Sequence, residues 1–229
     1  MKDILIYGIG FLAQVLFFAR TIVQWFKSEH EGKVLSPVLF WQISLVGSTL
    51  MFLYGLFRND FAIIFGQMIV YFIYVRNLQL KDAWSKLHWG FKTFIFAFPV
   101  AIAAYLIWDT HYSVGSFLKN EDIPLWLMIW GIAGQITFTF RFIYQWIYSE
   151  NRKDSLLPMG FWVISLCGSA MIFVYSLFRE DPVLFAAHSF GAFVYIRNML
   201  LYRNKTSIFS RFNTPFVKRI VKRVSEKIN

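Results

Sequence analysis

The chain has 229 residues, 57% of them hydrophobic and 21% aromatic, with only 16% charged, where soluble domains carry roughly 25% charged residues. That balance excludes a water-solvated globule of this size and calls for lipid as the solvent. The single cysteine, Cys167, excludes an internal disulfide and a cysteine-based metal site.

In chain order, near-continuous apolar stretches run over 4–26, 38–57, 61–80, 91–108, 125–148, 159–178 and 183–202. Each suffices for a helix crossing a hydrocarbon core of about 30 Å, which takes roughly 20 residues. The first has only Lys2 ahead of it and no small-residue cleavage site, and a copy recurs later, so it reads as a structural helix and not as a signal peptide. Short polar links such as Arg58-Asn59-Asp60 and Arg179-Glu180-Asp181 fit helical hairpins and leave no room for a soluble domain. Cys167, inside the sixth stretch, is expected as a small packing residue. Trp41 and Trp162, with Trp25 and Trp146, are expected as aromatic anchors at the membrane interface.

The chain is duplicated. Residues 10–80 align without a gap on 131–201 at a constant offset of 121, and 29 of the 71 paired positions are identical. The identities include Gln14/Gln135, Arg20/Arg141, Gln24/Gln145, Pro37/Pro158, Phe40-Trp41/Phe161-Trp162, Gly47-Ser48/Gly168-Ser169, Arg58/Arg179, Asp60/Asp181 and Arg76-Asn77/Arg197-Asn198. An odd number of spans per copy would invert the second copy, and the unpaired helix near 91–108 corrects this, so the two copies run parallel. The predicted fold is therefore all-α integral membrane: seven transmembrane helices as two parallel three-helix-bundle repeats (4–80 and 125–202) joined by a linker (81–124) holding one helix, with a basic tail from 203 to 229.

The distribution of the +10 net charge orients this array. With the N-terminus outside, Lys27, Lys33, Arg76, Lys81, Lys86, Lys92, Arg152, Lys153 and the tail fall on the cytoplasmic side, against Lys2, Arg58, Lys119 and Arg179 outside. In the tail, Phe216, Val217, Ile220, Val221 and Val224 alternate at helical spacing with Lys218, Arg219, Lys222, Arg223 and Lys227, a pattern suited to an anionic inner leaflet. No nucleic-acid partner is expected.

Charges inside a bilayer cost several kcal/mol unless paired or solvated, which makes Arg20 and Arg141 functional candidates. Gln24 and Gln145 follow one turn later on the same face. Snorkelling toward the headgroups is the plain alternative. Every arginine of the first copy has its counterpart in the second, and no lysine does. A guanidinium grips phosphate or carboxylate with two parallel bonds, which an ammonium cannot do, so the expected ligand is anionic, such as the phosphate of a lipid-linked sugar. Arg76-Asn77 and Arg197-Asn198 serve either as helix ends or as ligands of sugar hydroxyls. Gln67 and His188 serve either as interhelical hydrogen bonds or as substrate contacts near mid-membrane. Arg58 with Asp60, and Arg179 with Asp181, form an outer turn or gate. Pro37 and Pro158 start their helices.

Ser36-Pro37, Phe40-Trp41, Ser44-Leu45, Gly47, Tyr54, Arg58, Asp60 and Arg76-Asn77, largely repeated in the second copy, resemble the lipid A biosynthesis N-terminal domain family, which occurs at the front of some lipid-A-disaccharide synthases and as free-standing membrane proteins. It is similar to the PQ-loop and SWEET transporter group, which share a three-one-three helix plan. The resemblance implies a bacterial inner-membrane protein of envelope glycolipid synthesis, with Pro37 and Pro158 as hinges. It also implies either a carrier of a phosphate-bearing lipid-linked saccharide, a membrane module recruiting a glycosyltransferase of the pathway, or direct involvement in disaccharide synthesis. Against an enzyme, the acidic residues Glu29, Glu31, Glu150 and Asp154 read as loop residues, and no carboxylate pair, metal motif or phosphate loop is present. No catalytic residue, metal or cofactor is expected.

Overall fold

The computed structural model describes residues 2–57, 61–108, 124–180 and 182–203. Within them the chain forms seven helices: α1 (Lys2–Glu31), α2 (Val38–Phe57), α3 (Phe61–Leu80), α4 (Trp89–Trp108), α5 (Leu125–Arg152), α6 (Met159–Phe178) and α7 (Pro182–Tyr202). The expected Arg58, Asp60 and Asp181 turn residues and the basic tail beyond Arg203 lie outside the described residues.

Among the described residues, four helices, α1, α2, α5 and α6, are long and apolar enough to cross a membrane. The other helices that meet across the halves carry polar residues in their middle and last turns: α3 carries Gln67, Arg76, Asn77 and Gln79, and α7 carries His188, Arg197 and Asn198. The outer surface is apolar to match, with Ile4, Phe11, Phe91, Val100, Trp126 and Ile136 all more than half exposed, a density of exposed hydrophobics that in water would drive aggregation.

Two helices are longer than apolarity predicts. α1 has 30 residues and α5 has 28, each continuing about a turn past the expected ends at 26 and 148. Hydropathy marks where lipid contact stops, whereas the helix stops where the backbone turns left-handed, at Gly32 (φ 67°) and Lys153 (φ 53°). The Lys153 N–H returns to the Glu150 carbonyl, closing the last turn.

Within each half the helices pack in chain order, α2 between α1 and α3, and α6 between α5 and α7. The halves meet where α3 lies against α5 and where α1 lies against α7. Glycine permits the tightest approaches. A Cβ at Gly168 would sit 2.7 Å from the backbone of Phe138, and one at the equivalent Gly47 would sit 2.8 Å from the Phe17 ring. α4 has side-chain contacts with the first half, Phe98 meeting Phe52 at 5.9 Å and Phe96 lying 6.5 Å from Phe72.

Two expectations are corrected. Trp41 and Trp162 are 0% and 2% exposed and belong to the core, because their positions on α2 and α6 face Tyr74 of α3 and Tyr195 of α7; they are not interface anchors. Cys167 is exposed on the outside of α6, as Val46 is at the equivalent position of α2, so it is not part of the packed interior.

Replacing Gly168 with alanine is expected to destabilise the protein by about 1–3 kcal/mol through overpacking against backbone that cannot yield. Gly8→Ala, with nothing within 4 Å of the added carbon, is expected to be neutral. Denaturation midpoints of the two variants in detergent check the difference.

Candidate functional site

Of the polar residues singled out by the repeat, Arg20/Arg141, Gln24/Gln145, Asn77/Asn198 and Arg76/Arg197 lie along the two seams between the halves, whereas Gln14 and Gln135 are exposed. Deepest are the arginines. Arg20 on α1 is 6% exposed and Arg141 on α5 is 7% exposed, and both turn inward, which removes the snorkelling alternative. Arg20 donates to the Ser44 hydroxyl at 2.8 Å and to the Tyr74 hydroxyl at 3.0 Å. Arg141 donates to the Tyr195 hydroxyl at 3.1 Å, while its Nε is buried with no acceptor. Rings complete the cradle: Phe138 lies 3.5 Å from the Arg141 guanidinium, Phe17 lies 4.5 Å from that of Arg20, and the Phe142 ring is shared, 5.3 Å from Arg20 and 4.7 Å from Arg141.

Among the described residues no carboxylate pairs with either guanidinium. Burying an ion costs several kcal/mol even after relaxation. Cation–π contacts return about 0.5–2 kcal/mol each, and a hydrogen bond to a charged group returns about 1.5–3 kcal/mol. Arg20, with two hydroxyl partners, is the better compensated. Arg141, with one partner and an idle N–H, is the worse. Both border one cavity of about 20 Å³, together with Gln24, Phe142, Trp162 and Tyr195, which is room for a single water. The indole N–H of Trp162 on this cavity has no acceptor, and neither has that of Trp41. Donors outnumber acceptors here, so the chemistry this arrangement favours is recognition of an anion or an acceptor-rich group.

One turn further along α1 and α5, the amides close the seams reciprocally. Gln24 and Asn198 exchange hydrogen bonds of 2.8 and 3.2 Å, and Gln145 and Asn77 exchange bonds of 2.8 and 3.1 Å. Each glutamine also holds the loop that follows its own helix, Gln24 through Ser28 and the Leu35 carbonyl, Gln145 through Ser149 and the Leu156 carbonyl. The two loops touch where the Ser36 hydroxyl donates to the Ser155 carbonyl at 2.5 Å.

Last come two ion pairs. Arg76 of α3 grips Glu150 of α5 with two bonds of 2.7 Å, and Arg197 of α7 holds Glu29 of α1 at 2.7 Å. The expectation that the acids are loop residues is corrected for three of the four: Glu29 and Glu31 stand in the last turns of α1 and Glu150 in the last turn of α5, which apolarity had cut short, whereas Asp154 lies in the loop. The pairs differ in burial. Arg76 and Glu150 are 37% and 30% exposed, whereas Arg197 and Glu29 are 14% and 0%.

The remaining candidates sit elsewhere. Gln67 accepts from Ser48 at 2.8 Å, and His188 shares a hydrogen bond of 3.0 Å with Ser169, equivalent links inside each half. Pro37 and Pro158 immediately precede α2 and α6, and their carbonyls accept from Phe40 and Phe161 at 3.0 Å. Arg179 is exposed at the end of α6. The partners Ser28/Ser149 and Tyr74/Tyr195 were not singled out from sequence, and Glu29/Glu150 were read only as loop acids, although each pair is a polar identity at the same offset of 121. That identity was the available signal.

The profile of the Lipid A Biosynthesis N-terminal domain matches residues 9–79 and again 130–200, the two repeats that build this seam. The chain belongs to the Lipid A Biosynthesis N-terminal domain family. Relatives include the lipid-A-disaccharide synthases of Chlamydia abortus (30% identical over 225 residues, 92% of this chain and 35% of the relative), Chlamydia felis (29% over 215 residues, 89% and 34%) and Chlamydia pneumoniae (28% over 203 residues, 86% and 33%). The chain thus spans about a third of the length of the curated relatives it matches. No solved structure matches it. Membership links the chain to lipid A biosynthesis, and in this family member each matched segment supplies one guanidinium to the shared cavity.

Glu29→Gln leaves Arg197 without its charge partner in a sheltered place and is expected to cost on the order of 3 kcal/mol. Glu150→Gln, at the more exposed pair, is expected to cost clearly less. Detergent denaturation of both variants gives the comparison.

Proposed function

We propose that this protein is a membrane carrier of the flippase type, which binds a phosphate-bearing lipid-linked saccharide between its halves during envelope glycolipid synthesis. The observation carrying this reading is the pair of buried guanidiniums that share one cavity without a carboxylate. A phosphate supplies the missing negative charge and accepts from the idle donors of Arg141 and Trp162. The cavity as it stands holds one water, so the ligand enters only when the halves separate along the amide seams. In this reading Arg20 and Arg141 bind phosphate. Gln24, Gln145, Asn77, Asn198, Arg76 and Arg197 exchange their mutual bonds for bonds to sugar, Gln67 and His188 flank the path, and Pro37 and Pro158 act as hinges.

The membrane arrangement that accompanies it has seven spans in a three-one-three plan like that of the PQ-loop and SWEET transporters, in the bacterial inner membrane, N-terminus outside and C-terminus cytoplasmic. The duplication, the reciprocal seams and the bias of basic residues support it.

A second reading rests on the relatives. Each is a lipid-A-disaccharide synthase of which this chain spans only about a third, which favours a non-transporting membrane module that recruits or assists a glycosyltransferase.

Purified protein in liposomes is expected to relocate a labelled phosphoglycolipid between leaflets. The double variant Arg20→Lys, Arg141→Lys is expected to lose tenfold or more of that rate, about 1.4 kcal/mol of binding, while inserting normally. Full activity in the double variant rejects phosphate binding there. No relocation by the unaltered protein, together with co-purification of a glycosyltransferase, moves the conclusion to the second reading.

A further inference from the structure

A cleft of about 600 Å³ opens on the outer flank of the helices between α3, α4 and α5, well within the range of small-molecule sites. Its walls are Phe72 of α3, Phe96 of α4, and Ile143 and Trp146 of α5, and Arg76 and Glu150 stand at its polar end.

The duplication provides an internal comparison. At the equivalent place, between α7 and α1, Phe190 replaces Ile69 and Leu200 replaces Gln79. There the protein's own rings occupy the space, Phe190 against Phe18 at 4.6 Å and Phe193 against Trp25 at 5.6 Å. On the α4 side, Trp146 is left 40% exposed. The charges differ as well. Glu150 serves two cations, Arg76 at 2.7 Å and Lys153 at 2.8 Å, so this cluster carries one surplus positive charge. Of the five N–H donors of a guanidinium, Glu150 and Gln79 engage three on Arg76, and two are left for another acceptor.

We propose that this cleft binds one acyl chain of an anionic membrane lipid, with the lipid phosphate held at the polar end by Arg76 and Lys153. The site is separate from the cavity of Arg20 and Arg141, has Arg76 alone in common with the proposed sugar contacts, and does not depend on transport. Its walls come from α3 of the first half and α5 of the second, with α4 as a roof, and Ile69 and Gln79 stand where the α7/α1 side has larger or apolar residues.

The test uses the full chain in phosphatidylcholine liposomes, with phosphatidylglycerol or phosphatidylcholine carrying a photoreactive group on one acyl chain, and maps adducts by mass spectrometry. Adducts from the phosphatidylglycerol probe are expected at Phe72, Phe96 and Trp146 about tenfold above those at Trp25 and Phe193, the ratio of one well-made polar contact. Ile69→Phe combined with Gln79→Leu, which installs the residues of the second half, is expected to erase that excess. Lys153→Ala, at a side chain 74% exposed and therefore safe for folding, is expected to bring the two probes to parity in the cleft. Even labelling around the bundle, or equal labelling of the cleft by both probes in the unaltered protein, overturns the proposal. Glycolipid relocation is measured separately, and its failure leaves this labelling pattern untouched.

Discussion

Two amide pairs, Gln24 with Asn198 and Gln145 with Asn77, hold the arrangement together. A primary amide in a water-poor interior must satisfy both its donors and its acceptor, or pay the desolvation penalty. Here each amide finds its amide partner in the other half of the chain and further partners in its own half. The requirement is reciprocal, since α1 needs α7 and α5 needs α3. It therefore brings the C-terminal ends of α1, α3, α5 and α7 to one end of the molecule and sets their register. The same glutamines clamp the loops after α1 and α5, so local chain reversal and assembly of the halves draw on one set of atoms. With the amides in place, Arg76 meets Glu150, Arg197 meets Glu29, and the two deep arginines come to face one cavity.

Much of this was legible in the sequence because lipid simplifies the code. Apolar runs locate helices, and all seven expected helices are found. The duplication shows which polar residues matter, since shared apolarity does not preserve Gln24/Gln145 or Asn77/Asn198. It also brought Arg20 and Arg141 forward as residues able to share a cavity, and they do line one. What escaped did so for physical reasons. Hydropathy ends where polar residues begin, so the last turns of α1 and α5 were cut off, and with them the helical setting of Glu29 and Glu150. Composition does not reveal which face of an apolar helix turns inward. Trp41 was therefore read as an anchor although it is core, and Cys167 as packed although it is exposed. The constant offset carried no information on the hydrogen-bond and ion pairing across halves, because those partners are not copies of each other; Arg76 meets Glu150, the copy of Glu29.

The departures from symmetry are as informative as the symmetry. Thr21 of the first half corresponds to Phe142 of the second, and it is Phe142 that lies beside both guanidiniums. One phenylalanine thus serves two charges, and the cavity is not equally shared. Arg20 has two hydroxyl partners where Arg141 has one and an idle Nε. By the magnitudes of hydrogen bonds to charged groups, the deficit of negative charge is concentrated on the second half, and an anion entering the cavity gains most at Arg141.

The seams also differ in what their separation costs. Interhelical hydrogen bonds in membrane proteins average only about 0.6 kcal/mol, because the separated helices find other partners, so neither amide pair alone locks the halves. The ion pairs decide between the two sides. Breaking Glu29 from Arg197 takes the arginine's charge away from a carboxylate with no exposure, which is costly, whereas Arg76 and Glu150 are both about a third exposed and exchange each other for solvent or headgroups at little cost. If the halves part, the α3/α5 seam yields first and the α1/α7 seam acts as the axis. The opening then lies beside the 600 Å³ cleft walled by α4, the flank of the molecule whose surplus positive charge already favours an anionic lipid.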